Sequence, residues 1–271
     1  MPSSAQLRRL GIATVVASMW MTGRADAAQC GSTAGGFEAW KAQFAGEARA
    51  RGVGASTISA LMATNYATAT IRADRGQRSF RLSLDQFLAK RGGPAIVSRG
   101  RALKQSHAAL FGSIEQRYGV PPGPLLAIWG METGFGRERG NQHTLSAVAT
   151  LAYDCRRSAF FTDQLYALLT LIDRGVLSAS TRGSMHGEVG QTQFLPKSIL
   201  NYGTGNLENA SNALTSTANF LKAHGWRAGA GYQPGEPNFG AIRAWNAATV
   251  YQRAIALLGQ QIDGGSRSAA R

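Results

Sequence analysis

The stretch Pro121-Pro-Gly-Pro-Leu-Leu-Ala-Ile-Trp-Gly-Met-Glu-Thr-Gly-Phe-Gly136 predicts an apolar helix that ends beside a single carboxyl group. Proline is tolerated in the first turn of a helix, so the prolines mark its start, and Gly134 and Gly136 mark its end. Glu132 lies near the C-terminus of this helix, where partial burial and the negative end of the helix dipole both raise the pKa of a carboxyl group. A carboxyl group that stays protonated at neutral pH is suited to general-acid catalysis. Glu132 is therefore the first candidate catalytic residue, and an ordinary solvent-facing glutamate at a helix end is the alternative.

Length and composition predict one well-packed domain. The chain has 271 residues, of which 44% are hydrophobic and 16% charged, enough apolar material for a sizeable core. No internal repeat or Pro/Gly/Ser-rich linker divides it. We expect a single, monomeric domain over residues 28–263, with two lobes around a cleft, and a disordered tail at residues 264–271. No stretch approaches the roughly 20 apolar residues that span a bilayer.

Residues 1–27 are typical of a secretory signal peptide. Arg8 and Arg9 precede an uncharged apolar run that reaches Met21, and an A-x-A cleavage site ends at Ala27. An uncleaved N-terminal anchor is the alternative, and the apolar run is short for that role. We therefore expect export to the periplasm.

Export would place the two cysteines, Cys30 and Cys155, in an oxidising compartment. An even number of cysteines in such a compartment usually pairs, so we expect a disulfide, with two separate thiols as the alternative. Gln29 stands where a small residue should precede a lipidated cysteine, so we expect no lipid anchor at Cys30.

The formal net charge of +14 predicts attraction to polyanions. For an exported protein the expected polyanion is the cell wall or a membrane surface. Nucleic acid is not expected as a partner, because the arginines form no recognisable nucleic-acid-binding motif and the signal peptide argues against that role.

The pattern along the chain is mostly helical. Apolar spacing and capping residues predict helices between Gly36 and Gly52, from Ser56 to Met62, over 96–118, after a Ser158 cap, from Pro196, over 213–224 and over 247–262. Few segments alternate as strands do, so any sheet should be small. The expected fold class is mainly α, within α+β.

Two further segments carry residues suited to binding sugars. The loop Gly183-Ser-Met-His-Gly-Glu-Val-Gly-Gln-Thr-Gln-Phe-Leu-Pro196 combines glycines, which let backbone approach a ligand, with amides that pair with sugar hydroxyl and acetamido groups. Trp245-Asn246 and Tyr251 offer aromatic faces and hydrogen-bonding groups. A purely structural loop and a core Trp and Tyr are the alternatives.

Other classes of site are not supported. Gly134-Phe-Gly-Arg-Glu-Arg-Gly140 lacks the spacing of a dinucleotide-binding loop and follows a helix. No G-x-S-x-G nucleophile motif is present. The four histidines show no metal-ligand spacing; they are His107, His143, His186 and His224. We expect neither a metal ion nor an organic cofactor.

Taken together, the chain resembles the lytic murein transglycosylase B family, glycoside hydrolase family 103. The matching segments, in order, are Tyr118-Gly-Val-Pro-Pro122, Gly130-Met-Glu-Thr-Gly-Phe-Gly136, Ala149-Thr-Leu-Ala-Tyr-Asp-Cys-Arg-Arg157, Gly183-Ser184 with Gly190-Gln-Thr-Gln-Phe-Leu-Pro196, Ala218-Asn-Phe-Leu-Lys-Ala-His-Gly-Trp226 and Trp245-Asn246. The resemblance covers nearly all of residues 28–263. It implies a lysozyme-like transglycosylase fold with a deep groove for glycan strands.

The resemblance also implies roles for individual residues. It makes Glu132 the catalytic acid and base. The positions that match groove-lining or substrate-facing residues of the family are Ser184, Gln193, Arg156, Arg157, Asn246, Tyr251 and, where the family often has Tyr, Phe87. A phenylalanine keeps the stacking face for a sugar and loses the hydroxyl.

Two departures from the family pattern bear on the site. The region matching an acidic, calcium-binding loop, Asn201-Tyr-Gly-Thr-Gly-Asn-Leu-Glu-Asn209, is short and holds one carboxylate, so no calcium is expected. Glu188 stands where the family usually has a small residue, and the sequence assigns it no role.

The implied activity is cleavage of the bond between N-acetylmuramic acid and N-acetylglucosamine, leaving a 1,6-anhydro end. Glycosidases usually need two carboxylates, and only Glu132 has a strong context, which favours a transglycosylase. Two alternatives stay open: a lysozyme-type hydrolase that uses Glu138 or Glu188 as the second carboxylate, and a non-catalytic wall-binding protein.

Overall fold

The computed structural model describes residues 28–76 and 82–264. The predicted signal peptide and, apart from residue 264, the predicted tail lie outside the described residues. A short 3-10 helix (Ala34–Gly36) is followed by the α-helices α1 (Phe37–Ala50), α2 (Ala55–Met62), α3 (Thr68–Arg75), α4 (Leu84–Arg91), α5 (Gly93–Ser106), α6 (Ala108–Tyr118), α7 (Pro122–Thr133), α8 (Thr144–Tyr153), α9 (Ser158–Asp173), α10 (Pro196–Tyr202), α11 (Ala210–Ala223), α12 (Phe239–Trp245) and α13 (Thr249–Asp263).

The sheet is as small as the sequence indicates. Strands β1 (Gln142–His143) and β2 (Arg182–Gly183) pair in antiparallel register, with Gln142 opposite Gly183. The expectation of a mainly helical fold with little sheet is confirmed. None of the helices in the two described ranges has both the length and the apolar character required to traverse a bilayer.

Helix α7 is the central element of the fold. It begins at Pro122 as the prolines predict, and Gly134, in the left-handed conformation, caps its end. All but one of its twelve residues are buried, and it packs against α13 and α5. The contact with α13 needs glycines, because a Cβ at Gly123 would lie 2.3 Å from the carbonyl oxygen of Gly259. This packing fixes the place of Glu132 in the fold.

Three sequence expectations about helices are corrected. The single helix predicted over 96–118 is two helices that meet at His107, whose backbone leaves the helical region. Ser158 is the first residue of α9 and not its cap, because its hydroxyl donates to the carbonyl of Ala152 instead. Helices α3, α4, α8 and α12 have no counterpart in the prediction: α3 and α4 lie in a polar, arginine-rich stretch, α8 is buried on every side and shows no polar face, and α12 is short.

Two clusters of buried side chains form the core. The larger surrounds α7 and includes residues of α5, α11 and α13. The other joins α1 and α2 to α8 and α9, with stacked aromatic rings such as Trp40 and Phe44 at its centre. Helix α9 and the segment from α10 to α12 face the same cavity, which is described below.

The N-terminal part of the described chain is tied to the end of α8. Cys30 and Cys155 form the expected disulfide, across 125 residues of sequence. Two backbone hydrogen bonds flank it, from Gly31 N to the carbonyl of Tyr153 (2.9 Å) and from Cys155 N to the carbonyl of Gly31 (3.1 Å). The disulfide therefore belongs to a short, locally ordered junction beside the arginine pair that follows Cys155.

Candidate active site

Glu132 occupies the last turn of α7 and is partly exposed. The indole nitrogen of Trp245 donates a hydrogen bond to its Oε1 at 3.2 Å. On the neighbouring residue, the carbonyl of Met131 accepts a hydrogen bond from the Arg91 guanidinium at 3.0 Å. The carboxyl group is therefore oriented by the end of α12 and lies close to a cation from α4.

The surroundings of Glu132 favour its protonated form. Burial raises the pKa of Glu132 to about 7, and the Glu188 carboxylate adds to the rise. Contacts with Tyr251 and Trp245 and the charge of Arg91 act in the opposite direction and are smaller. The direction of the pKa shift agrees with the expectation from the sequence. Like-charge repulsion from Glu188 is a cause that the sequence did not predict.

Tyr251 lies on α13 against Glu132. Its hydroxyl is buried and makes no hydrogen bond of standard geometry. Burial, followed by the Glu132 carboxylate, raises the pKa of Tyr251 well above its ordinary value, so it stays a neutral phenol. The hydroxyl is thus a dipole held beside the carboxyl group.

The expected sugar contact at Phe87 is wrong for this structure. Phe87 is 2% exposed and packs edge-on against Tyr251, with the ring centroids 5.7 Å apart. A ring enclosed in this way has no free face for a sugar. Its place is in the core behind Tyr251, where it supports the neighbour of Glu132.

The loop between β2 and α10 is held by its own side chains. Ser184 Oγ donates to Glu188 Oε2 at 2.7 Å and accepts from the backbone nitrogen of Glu188 at 3.1 Å. Val189 and Phe194 form an isolated antiparallel bridge around a tight turn. Ser184 therefore orients the Glu188 carboxylate directly, and contacts within the loop hold its shape.

Gln193 lies in that tight turn with a φ of 55°, and Phe135 after α7 has a φ of 62°. Both are in the left-handed region that favours glycine. The Gln193 amide nitrogen donates to the carbonyls of Gly190 (2.8 Å) and Arg139 (3.3 Å). The amide nitrogen is thus engaged by backbone, and the residue keeps partial exposure through which a ligand could reach it.

Arg156 and Arg157 both form ion pairs with the buried carboxylate of Asp74 on α3. His186 Nε2 lies 3.8 Å from the same carboxylate. Burial lowers the pKa of His186, and Glu188 opposes that shift. The arginines therefore join α3 to the α8–α9 junction, and Arg157 keeps one side on the cavity.

A cavity of about 540 Å³ lies next to these groups. Its walls include Arg157, His186, Glu188, Trp245 and Asn246. It connects the Glu132 hydrogen-bond donor, Trp245, with the Glu188 loop. The polar walls and aromatic edges match the chemistry of a glycan better than that of an apolar ligand.

The structure thus brings most of the residues predicted for the site to one region. Residues that sequence reasoning did not assign to the carboxyl group are Trp245, Arg91, Asp74 and Glu188. Trp245 was marked only as a ring that could stack on a sugar. Arg91 and Asp74 lie in polar segments with no motif, and no sequence signal identifies them.

Neither described range contains a group of three or more His, Cys, Asp or Glu side chains that could hold a metal ion. In the short loop after α10, the one carboxylate is Glu208. It pairs with Arg139 at 2.5 Å. That carboxylate is therefore engaged by a protein cation.

Comparison with known proteins places this geometry in context. Residues 36–235 match the family model described as the transglycosylase SLT domain. The membrane-bound lytic murein transglycosylase B of Escherichia coli (strain K12) is 37% identical over 161 residues, which cover 54% of this chain and 45% of that protein. The chain thus spans under half the length of that relative.

The fold is also similar to those of solved structures. SltB3 from Pseudomonas aeruginosa, in complex with NAG-anhNAM-pentapeptide, superposes with a TM-score of 0.77 and 29% identity, covering 84% of this chain and 80% of that one. The Escherichia coli lytic transglycosylase Slt35 in complex with bulgecin A gives a TM-score of 0.73 at 24% identity, over 87% of this chain and 96% of that one. At that lower identity the second match supports the fold alone.

Proposed function

Because the chain belongs to the transglycosylase SLT domain family, in its lytic murein transglycosylase B group, we propose that it is a peptidoglycan lytic transglycosylase. It cleaves the β-1,4 bond between N-acetylmuramic acid and N-acetylglucosamine and leaves a 1,6-anhydro end. The observation that carries this proposal is Glu132, whose pKa of about 7 suits both donation and recovery of a proton beside a polar cavity.

The proposed reaction uses Glu132 twice. Its protonated carboxyl group gives the proton to the glycosidic oxygen as the bond from that oxygen to C1 of N-acetylmuramic acid breaks. The C6 hydroxyl of the same sugar then bonds to C1 and returns its proton to Glu132. An intramolecular hydroxyl competes well with water because of its high effective concentration. No water is consumed and the carboxyl group is restored.

Other residues have proposed supporting roles. Trp245 holds the Glu132 carboxyl group through its indole N–H, and the Tyr251 hydroxyl adds a dipole beside it. Asn246 lies on the cavity wall, with its Oδ1 accepting from Ala248 N at 2.9 Å, so its amide nitrogen is directed to other partners. We propose that this amide, together with Gln193, contacts the glycan.

The two arginines and Ser184 have different proposed tasks. Arg157 faces the cavity and can contact the glycan strand, whereas Arg156 chiefly forms an ion pair with Asp74. Ser184 acts by fixing the loop at Glu188. We therefore propose that Arg157 contacts the glycan directly. Arg156 and Ser184 act indirectly, by holding Asp74 and Glu188 in place.

We propose the periplasm as the site of action, with residues 1–27 as the signal peptide and residues 28–263 as the catalytic domain. The disulfide supports an oxidising compartment, and the strongly positive net charge supports an anionic wall as substrate. We also propose that the protein acts as a monomer.

Product analysis tests the proposed function. Purified protein is incubated with peptidoglycan sacculi, and the released muropeptides are analysed by mass spectrometry. We expect 1,6-anhydro ends, which are about 18 Da lighter than reducing ends because no water is added. Reducing ends would identify a hydrolase, and the absence of any released muropeptide would point to a binding protein.

The pKa of Glu132 predicts the pH dependence. Glu132 must begin protonated, so kcat/KM should fall about tenfold per pH unit above about pH 7. The sign follows from the raised pKa: the active form is present below the pKa of the free enzyme and lost above it. Initial rates measured across the pH range at constant ionic strength give this fall, the alkaline limb of the pH profile of kcat/KM. An alkaline limb near pH 4.5, the ordinary value for glutamate, would contradict the assignment.

A further inference from the structure

Glu188 is fixed in the cleft by contacts on both sides of its position in the chain. Before it, Ser184 N donates to the carbonyl of Glu188 at 2.8 Å, and the Ser184 hydroxyl donates to its carboxylate at 2.7 Å. After it, Val189 pairs with Phe194 through two backbone hydrogen bonds of 2.9 and 3.0 Å. The close approach at Gly183, where a Cβ would lie 2.0 Å from the Glu188 carbonyl oxygen, leaves the loop little room to shift. Glu188 is thus a fixed charge.

The fixed carboxylate faces the catalytic side of the cleft. Glu188 shares the cavity wall with Trp245, and Trp245 donates to Glu132. Phe194, which closes the Glu188 turn, packs edge-on against Trp245 with ring centroids 5.2 Å apart. The loop that holds Glu188 and the indole that holds Glu132 therefore form one packed unit.

The positive charge near Glu188 is already paired with another carboxylate, that of Asp74. Arg157 faces it and is paired with Asp74, and His186, whose pKa is lowered by burial, also lies against Asp74. A guanidinium that is already paired screens a second carboxylate only in part. Beside Glu132, the charged or titratable groups are Glu188, Tyr251 and Arg91. The negative charge of Glu188 is therefore felt at Glu132.

We propose that Glu188 is a positioning residue for the reaction: a carboxylate, anchored by Ser184, whose charge keeps the Glu132 carboxyl group in its proton-donating form. The proposal rests on the proposed function of Glu132. It gives this second carboxylate an electrostatic task and not the activation of a water molecule. Repulsion between the two carboxylates disfavours the ionised form of Glu132, which extends the pH range in which it can act as an acid.

The variant Glu188→Gln tests the proposal by removing the charge while keeping the size of the side chain. We expect the alkaline limb of kcat/KM to move to lower pH by about 0.5–1 unit, the effect of removing one nearby charge. Activity at about pH 8 then falls roughly three- to tenfold relative to the unmodified protein, while activity at about pH 5 changes little. Glu188→Asp keeps the charge and should keep most of the original limb.

Glu188→Ala removes the charge without an amide and should shift the limb equally, so it carries the test if the Gln variant folds poorly. The matched control is Glu115→Gln, which removes a half-buried carboxylate on α6 outside the cavity and should leave the limb in place.

Two results would overturn the proposal. One is an alkaline limb that stays in place in both neutral variants. The other is a mixture of anhydro and reducing ends from the unmodified protein in which Glu188→Gln removes only the reducing ends, since Glu188 would then act on water. Neither result depends on the assignment of Glu132, which fails only if a Glu132 variant stays active.

Discussion

Replacement of Glu132 by Gln is expected to reduce the release of anhydro-muropeptides by about 10³-fold or more, near the upper part of the range for loss of a general acid and base. The amide keeps the shape of the side chain, and its oxygen can still accept from the Trp245 indole 3.2 Å away. It cannot give a proton to the leaving oxygen or take one from the C6 hydroxyl. Both halves of the proposed reaction are therefore lost while the helix stays intact.

The measurement is the rate of muropeptide release at about pH 6, where the unmodified carboxyl group is protonated. Glu138→Gln is the matched control, because Glu138 is an exposed carboxylate shortly after α7 that could serve a hydrolase as its second carboxylate. We expect it to stay active. Full activity in Glu132→Gln, with the fold unchanged by circular dichroism, would refute the catalytic assignment.

The second large effect concerns stability. The double variant Cys30→Ser/Cys155→Ser is expected to lower the free energy of unfolding by about 2–5 kcal/mol. The disulfide closes a loop of 125 residues, and in the chain-entropy model long loops give the largest constraint on the unfolded chain. The expected fall in Tm is roughly 5–15 °C for a domain of this size.

Thermal unfolding with and without a reductant measures the disulfide effect. Reductant should lower the Tm of the unmodified protein towards that of the double variant and leave the variant itself unchanged. If the double variant had the same Tm as the unmodified protein without reductant, the junction around Tyr153 would be held by its backbone hydrogen bonds alone. Since Arg156 and Arg157 directly follow Cys155, activity at moderate temperature is a useful second readout.

The helices that sequence reasoning found are those with apolar spacing along one face or with prolines and glycines at their ends. Prolines and Gly134 delimit α7, and Pro196 opens α10. Helix α8 was missed because burial on all sides removes the polar face that reveals a helix in a sequence. A helix that the core surrounds has no hydrophobic periodicity in its sequence, so only tertiary packing reveals it.

In the candidate site, too, local sequence signals identify some residues and tertiary packing brings in the others. Glu132 was identified because an apolar run and glycines surround it in the sequence. Its partners Trp245, Arg91 and Glu188 come from three distant segments, so their approach depends on how the helices pack. The error at Phe87 has the same origin, because the sequence does not show that Tyr251 covers the ring.

The left-handed backbones of Phe135 and Gln193 have a consequence for engineering. Each costs of order 1–3 kcal/mol in a residue with a side chain, a cost that the rest of the fold must offset. Replacement by glycine would relieve this cost, but it would also delete the Phe135 ring, which packs edge-on against Trp129, or the Gln193 amide that is proposed to contact the glycan. More stable variants of this protein are therefore better sought among the helices distant from the cavity, since a change at Gln193 would remove its proposed glycan contact and a change at Phe135 would remove its packing against Trp129.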